Sequence, residues 1–227
     1  MTEFRESSAY RAARAELQEA EIALRRQRIR TAALRRELPL DTEIDDYLLE
    51  EGPADLSLEE PIQQVHLSEI FTAPGRSLIV YQFMYGAAQT EPCPMCSMWI
   101  DGLNGVARHL SDRVDLAIVA QAPIGDLRAW ARRRGWHNLR LLSASPSTFK
   151  ADLGMQGPGG EQYPGLSVFT RADDGSVRHF YTGGPGLEPN TEGGMDAYSP
   201  VWNLLDLTPE GRGEWYPSLE YDYAGVT

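Results

Sequence analysis

Two cysteines occur in the chain, Cys93 and Cys96, separated by Pro94 and Met95. They are the side chains whose type and spacing most plainly suggest chemistry. A thiol reacts as its thiolate, and at an ordinary pKa of about 8.5 only about 3% is ionised at pH 7. The surrounding residues change that expectation. Proline is suited to the first position of a helix, where a missing N–H costs nothing, so Pro94 makes Cys93 the N-cap, with its sulfur toward unpaired amides and the positive end of the helix dipole. Cys96 then lies one turn deeper, where it can attack a mixed disulfide on Cys93 and release the partner. Glu91, two residues before Cys93, opposes the effect by adding negative charge.

The same spacing suits two other readings. Free cysteine is among the most buried residue types, so the pair is also compatible with two small core side chains that never turn over. It is also half of a metal site. A zinc or iron–sulfur centre wants four ligands, however, and His66, His109, His137 and His179 are scattered without ligand spacing. His109 lies 13 residues beyond Cys96 on the same predicted helix, about 20 Å away at 1.5 Å per residue, and cannot complete the site. No metal and no cofactor is expected.

The elements that must position the pair follow from patterning. Residues 78–84 (LIVYQFM) form an apolar run suited to a buried strand before the cysteines, and Asp115–Ala120 (DLAIVA) forms a second. Between them, Cys96, Trp99, Leu103, Val106 and Leu110 define one face of a helix. Pro123 begins another helix ending near Arg134-Gly135, and Leu139–Leu142 is a short strand. Pro164 precedes a strand over 166–170, Asp173-Asp174-Gly175 is a hairpin turn, and Val177–Tyr181 runs back. A helix over 199–205 has Ser199 as N-cap and Pro200 at its first position. This order predicts an α/β fold: a parallel sheet finished by an antiparallel pair and covered by helices.

Upstream, a heptad-like stripe from Tyr10 through Leu17, Leu24, Leu34 and Leu38 predicts one long helix stopped by Pro39. Its seam is too weak for a free coiled coil, so it is expected to lie on the body or on a second subunit. Its arginines, Arg25, Arg26, Arg28, Arg30, Arg35 and Arg36, read as a solvated face. Nine carboxylates between Asp41 and Glu60 accompany no lysine or arginine, and the two segments are expected to neutralise each other. In 41–75, Gly52-Pro53 marks a turn, Val65 and Leu67 suggest short strands or a hairpin, and Ser68 caps a helical turn before Phe71. Gly183–Gly194 is a Gly/Pro-rich loop, and Trp215, Tyr216, Tyr221 and Tyr223 give the tail an aromatic surface. The five tryptophans, Trp99, Trp130, Trp136, Trp202 and Trp215, are expected in the core or an interface. Asp101 and Asn104 are weak acid–base candidates.

A net charge of −12 across 227 residues argues against a nucleic-acid partner, because phosphate neutralisation dominates such binding. No apolar run approaches the roughly 20 residues of a membrane span, and the amino terminus is unlike a secretory signal. Cytoplasmic location with no membrane partner is the expectation.

A strand, a CxxC opening a helix, and a proline directly before a terminal hairpin resemble the thioredoxin superfamily. The segments IVYQFMYG, CPMCSMWIDGLNG, YPGLSVF, HFYTGGPG and WNLLDLTPEGRGEWYP, between residues 79 and 217, are similar to a mainly bacterial family of unknown function labelled predicted dithiol-disulfide oxidoreductases. The resemblance implies a thioredoxin-like three-layer sandwich over 76–207. Before it lie an N-terminal helical arm (1–40) and an acidic strand or hairpin segment (41–75); after it comes an aromatic tail (208–227). It makes Cys93 the attacking thiol, Cys96 the resolving thiol and Tyr163-Pro164 a cis bond, with Pro94, Met95, Tyr163, Pro164 and Thr90 beside the substrate. Two departures stand out. Thioredoxin has Gly-Pro between its cysteines, where this chain has Pro94-Met95. Thr90 sits three residues before Cys93, as in the PxxxTxxC loop of peroxiredoxins, but Gly86 replaces that motif's proline. Three functions are therefore carried forward: a thiol–disulfide oxidoreductase acting on a protein or small-molecule disulfide or thiol; a thiol peroxidase; and a binding module whose long helix and aromatic tail make a homodimer.

Overall fold

The computed structural model describes residues 6–184 and 195–221, and the chain divides into two units, Met1–Pro39 and Leu40–Thr227. The first unit is one helix, α1 (Ser8–Arg36), capped by Ser7, whose hydroxyl accepts from the Tyr10 amide at 3.0 Å. It ends with Arg35 and Arg36 at the negative end of its dipole, and none of its residues is buried.

Among the described residues the second unit is built on eight strands: β1 (Glu43–Ile44), β2 (Leu48–Glu51), β3 (Gln63–His66), β4 (Ser77–Gln82), β5 (Asp115–Ala120), β6 (Arg140–Ser143), β7 (Gly165–Arg171) and β8 (Val177–Gly183). They form one sheet in the order β1-β8-β7-β4-β5-β6-β2-β3. Strands β4, β5 and β6 are parallel, joined by α2 (Pro94–Leu110) and α3 (Ile124–Arg134). On its other side β4 pairs antiparallel with β7, which turns at residues 172–176 into β8. The acidic segment supplies β1 at one edge and the β2–β3 hairpin at the other. A parallel β-α-β unit whose first strand is flanked by a terminal antiparallel hairpin is a thioredoxin-like arrangement.

Alternation along the strands sorts the core into two layers. Tyr81, Ile118, Ala120 and Leu141 face α2 and α3, packing on Cys96, Trp99, Ile100, Leu127 and Trp130; Trp202 of α5 (Pro200–Leu205) joins them. Leu78, Val80, Ala117, Val119 and Leu142 face the other way, onto Leu49, Leu67, Ile70 and Phe149; Phe149 opens the short helix α4 (Phe149–Asp152).

Several local expectations are corrected. In α2 the buried residues are Cys96, Ser97, Met98, Trp99, Ile100 and Ala107, while Val106 is exposed and Leu103 and Leu110 are half-buried; burial is concentrated in the first two turns of the helix. Ser68 does not cap the helical turn at Leu67–Ile70. His66 holds that place, and Ser68 bonds Asp46 through its amide (2.8 Å) and hydroxyl (2.7 Å). Pro123 stands where expected, as the N-cap directly before the first turn of α3. Four tryptophans are in the core as expected, and Trp215, Tyr216 and Tyr221 are exposed in the single chain, where an interface remains an expectation. Residues 185–194 of the Gly/Pro-rich loop and Tyr223 lie outside the described residues.

Helix α3 ends on Gly135 in the left-handed conformation (φ 71°), where only glycine is free of strain. An added Cβ there would meet nothing nearer than His137 Nε2 at 4.0 Å, so backbone strain alone sets the cost. Gly135→Ala is expected to lose about 1 kcal/mol, read as a lower urea midpoint at unchanged m-value.

Candidate functional site

The chain leaves β4 at its carboxyl end, a usual place for a site in an α/β sheet, and returns to open α2 at Pro94. Cys93 is the N-cap, and its carbonyl accepts the Ser97 amide at 3.0 Å. Its own amide donates to the Met84 carbonyl at 3.1 Å, which ties the helix start to the end of β4. The Cys93 sulfur makes no capping bond to the helix amides, in contrast to the expected orientation. It hydrogen-bonds Cys96 instead.

The two thiols sit in different surroundings. Neither is in a disulfide; Cys93 is half-buried, whereas Cys96 is 2% exposed. Burial pushes the Cys96 thiol well above the ordinary range, and the neighbouring Cys93 raises it further. Two donors act in the opposite sense, the Tyr81 hydroxyl and the backbone amide of Met84.

A cavity of about 230 Å³ opens beside the pair. Cys93 and Cys96 line it, together with Tyr81, Met84, Met95, Trp99, Pro164 and Met195, and Tyr216 of the tail reaches its wall. Among the described residues no charged side chain lines it. Of the residues expected beside the substrate, Met95 and Pro164 line the cavity; Pro94 starts the helix and is half-buried; Thr90 and Tyr163 are exposed and form no part of the wall. The Tyr163–Pro164 bond is trans. The only cis bond among the described residues is Glu60–Pro61, so the usual trans preference of about 0.5–1 kcal/mol is left standing at Pro164.

Asp101 and Asn104 have structural roles. Asp101 accepts from Trp136 Nε1 at 2.7 Å and from Arg134, and Asn104 accepts the Asn138 amide at 3.0 Å and donates to the Gly135 carbonyl at 3.3 Å. Together they pin α2 to the end of α3. Arg108 is held by Asn138. The four histidines contribute to no cluster of three or more metal-binding side chains among the described residues.

Sequence reasoning missed Lys150. This side chain on α4 is fully buried, and its Nζ donates to the Phe83 carbonyl at 2.8 Å. Burial lowers its pKa to about 7, and the charge of Cys96 is the one influence that raises it. A signal was available: Lys150 is the only lysine in a chain with twenty arginines.

Fold and site together define a thioredoxin-like α/β protein with a paired-cysteine centre at the end of its central strand. The chain belongs to the family described as "Bacterial protein of unknown function (DUF899)", whose model matches residues 1–223. No curated protein matches it. Among solved structures it is similar to the Plasmodium falciparum antioxidant protein, a 1-Cys peroxiredoxin, at 12% identity and TM-score 0.49, covering 64% of this chain and 83% of that one. It is also similar to Enterococcus faecalis AhpC, at 13% identity and TM-score 0.46, covering 74% and 94% respectively. The strand order and pairing define the thioredoxin-like fold.

Asp101→Ala is expected to destabilise the protein by about 1–3 kcal/mol, because the buried Trp136 N–H loses its acceptor and Arg134 keeps only the Leu219 carbonyl. The rate of Cys93 alkylation should stay within about twofold of the parent, as befits a residue outside the chemistry. Urea denaturation and iodoacetamide kinetics on the same samples check both.

Proposed function

We propose that the chain is a thiol–disulfide oxidoreductase. The observation that carries the reading is the asymmetry of the pair: of the two cysteines beside the cavity, Cys93 is half-exposed at a helix N-cap, while Cys96 is buried within hydrogen-bond reach of it. The Cys93 thiolate attacks a disulfide R–S–S–R′, forming Cys93–S–S–R and releasing R′S⁻. The Cys96 thiolate then attacks the Cys93 sulfur, forming the Cys93–Cys96 disulfide and releasing RS⁻. The substrate gains two electrons, the pair loses two, and a separate dithiol restores it.

The wall chemistry favours an uncharged, apolar or aromatic substrate, since thioether and aromatic groups make up the described lining. The net charge of −12 works against anionic disulfides such as oxidised glutathione. For a thiol peroxidase, a cation that polarises the peroxide is wanted, and no arginine lines the cavity among the described residues. That favours disulfide exchange.

Cys96→Ser is expected to accumulate a stable mixed disulfide on Cys93, seen by intact mass. Neutral 2,2′-dithiodipyridine should form it at least about tenfold faster than oxidised glutathione. Modification of neither cysteine, or oxidation of Cys93 by peroxide faster than by any disulfide, would sink the proposal.

A further inference from the structure

We infer that Lys150 is a positioning residue for the resolving thiol, stabilising the Cys96 thiolate through the single peptide group that joins Phe83 to Met84. This rests on the exchange reading above, and it deepens that reading. The Phe83 carbonyl accepts from Lys150 Nζ at 2.8 Å, and the N–H of the same peptide, on Met84, hydrogen-bonds the Cys96 sulfur. A trans peptide carries its C=O and N–H on opposite sides. The lysine therefore approaches from α4, whose Phe149 packs in one core layer, and the thiol from α2 in the other. An ammonium at the oxygen draws electron density along the amide and strengthens its N–H as a donor, as in any hydrogen-bond chain in a low-dielectric interior. Its positive charge also acts directly on the thiolate across the peptide.

The surroundings leave the lysine few other tasks. Among the described residues it has no carboxylate within ion-pair distance, and Cys96 is the one group whose charge bears on it. Asp152, on the same short helix, is engaged by the Tyr47 hydroxyl at 3.0 Å and the Thr148 hydroxyl at 2.5 Å. Tyr81 acts on Cys96 through its hydroxyl. A buried ammonium with one hydrogen bond is unfavourable for folding. An apolar side chain would serve packing better, which points to a use in the reaction. The chain employs arginine at all its other twenty basic positions; a guanidinium stays charged at every accessible pH, whereas a buried amine changes charge near neutrality.

In the resolving step the Cys96 thiolate attacks the Cys93 sulfur of the mixed disulfide. The Cys96–Cys93 bond forms, the Cys93–SR bond breaks, and the electron pair leaves on RS⁻, which takes up a proton equivalent to the one Cys96 released. Lys150 keeps its own proton, and none crosses the peptide.

This arrangement has a pH signature. The form with a Cys96 thiolate and a Lys150 ammonium holds as many protons as the form with a thiol and a neutral amine. Thiolate therefore increases about tenfold per pH unit only up to the Lys150 midpoint and is then constant. The test uses the full chain carrying Cys93→Ser, in which Cys96 is the sole thiol. Its reaction with methyl methanethiosulfonate, a small neutral reagent, is followed against pH. The titration of Lys150 is read in parallel by NMR on lysine-labelled protein, which gives one signal because there is one lysine. The expected result is a break in the rate profile at the Lys150 midpoint, near pH 7. With Lys150→Met added, the rate at pH 7 should be at least about tenfold lower and should climb tenfold per unit through pH 9.

A rate that climbs straight through the Lys150 midpoint in the lysine-containing protein overturns the inference, and that comparison does not depend on the methionine variant folding. A break at the midpoint without disulfide exchange in the unmodified chain would leave the Lys150–Cys96 coupling standing and remove the oxidoreductase reading. Exchange without a break would do the reverse.

Discussion

The Cys96 thiol lies out of water beside the end of the central strand, and much of the second unit packs around that point. Burial drives Cys96 toward its neutral form, while the Tyr81 hydroxyl and the Met84 amide favour its anion. Strand β4 supplies both donors or their immediate neighbours, which is why its position matters. It is flanked by β5 and β7 on its two sides, so its end is held on both edges before the chain turns away. The Phe83 amide extends the pairing to the Val119 carbonyl at 2.8 Å, and the Met84 carbonyl holds the Cys93 amide.

Packing fixes α2 over that point. Cys96, Trp99 and Ile100 face the sheet within one turn, Trp99 meets Tyr81 and Trp202 edge to face, and Asp101 and Asn104 fasten the outer side of the helix to the end of α3. A helix held at both levels cannot slide without breaking the Asp101 cluster, so the two sulfurs keep one relation to β4. The apolar cavity beside them follows from the same aromatic and thioether packing, and Cys93 is partly exposed beside it.

Much of this was legible in the sequence. DLAIVA matches β5 residue for residue, Pro94 opens α2, Ser199 caps α5, and Asp173-Asp174-Gly175 lies at the β7–β8 turn. Each depends on short-range rules of period, capping or turn geometry. The failures are long-range. The exposed Val106 shows that helical spacing names a stripe without saying which part of it meets the sheet. The trans bond at Pro164 shows a superfamily feature that does not carry over. Lys150 lay in a stretch, STFKAD, with no distinguishing pattern, and its role depends on a carbonyl 67 positions earlier in the chain. Composition held the one clue, a single lysine among many arginines, which becomes meaningful only once burial is known.

Whether Cys93 and Cys96 act as one dithiol is decided by equilibrating the reduced protein in buffers of graded thiol–disulfide ratio, quenching with an alkylating agent and counting free thiols by mass. A working dithiol gives a single two-electron transition in which both thiols disappear together into an intramolecular Cys93–Cys96 disulfide. Loss of Cys93 alone to a mixed disulfide, with Cys96 remaining a free thiol at every potential, would contradict it.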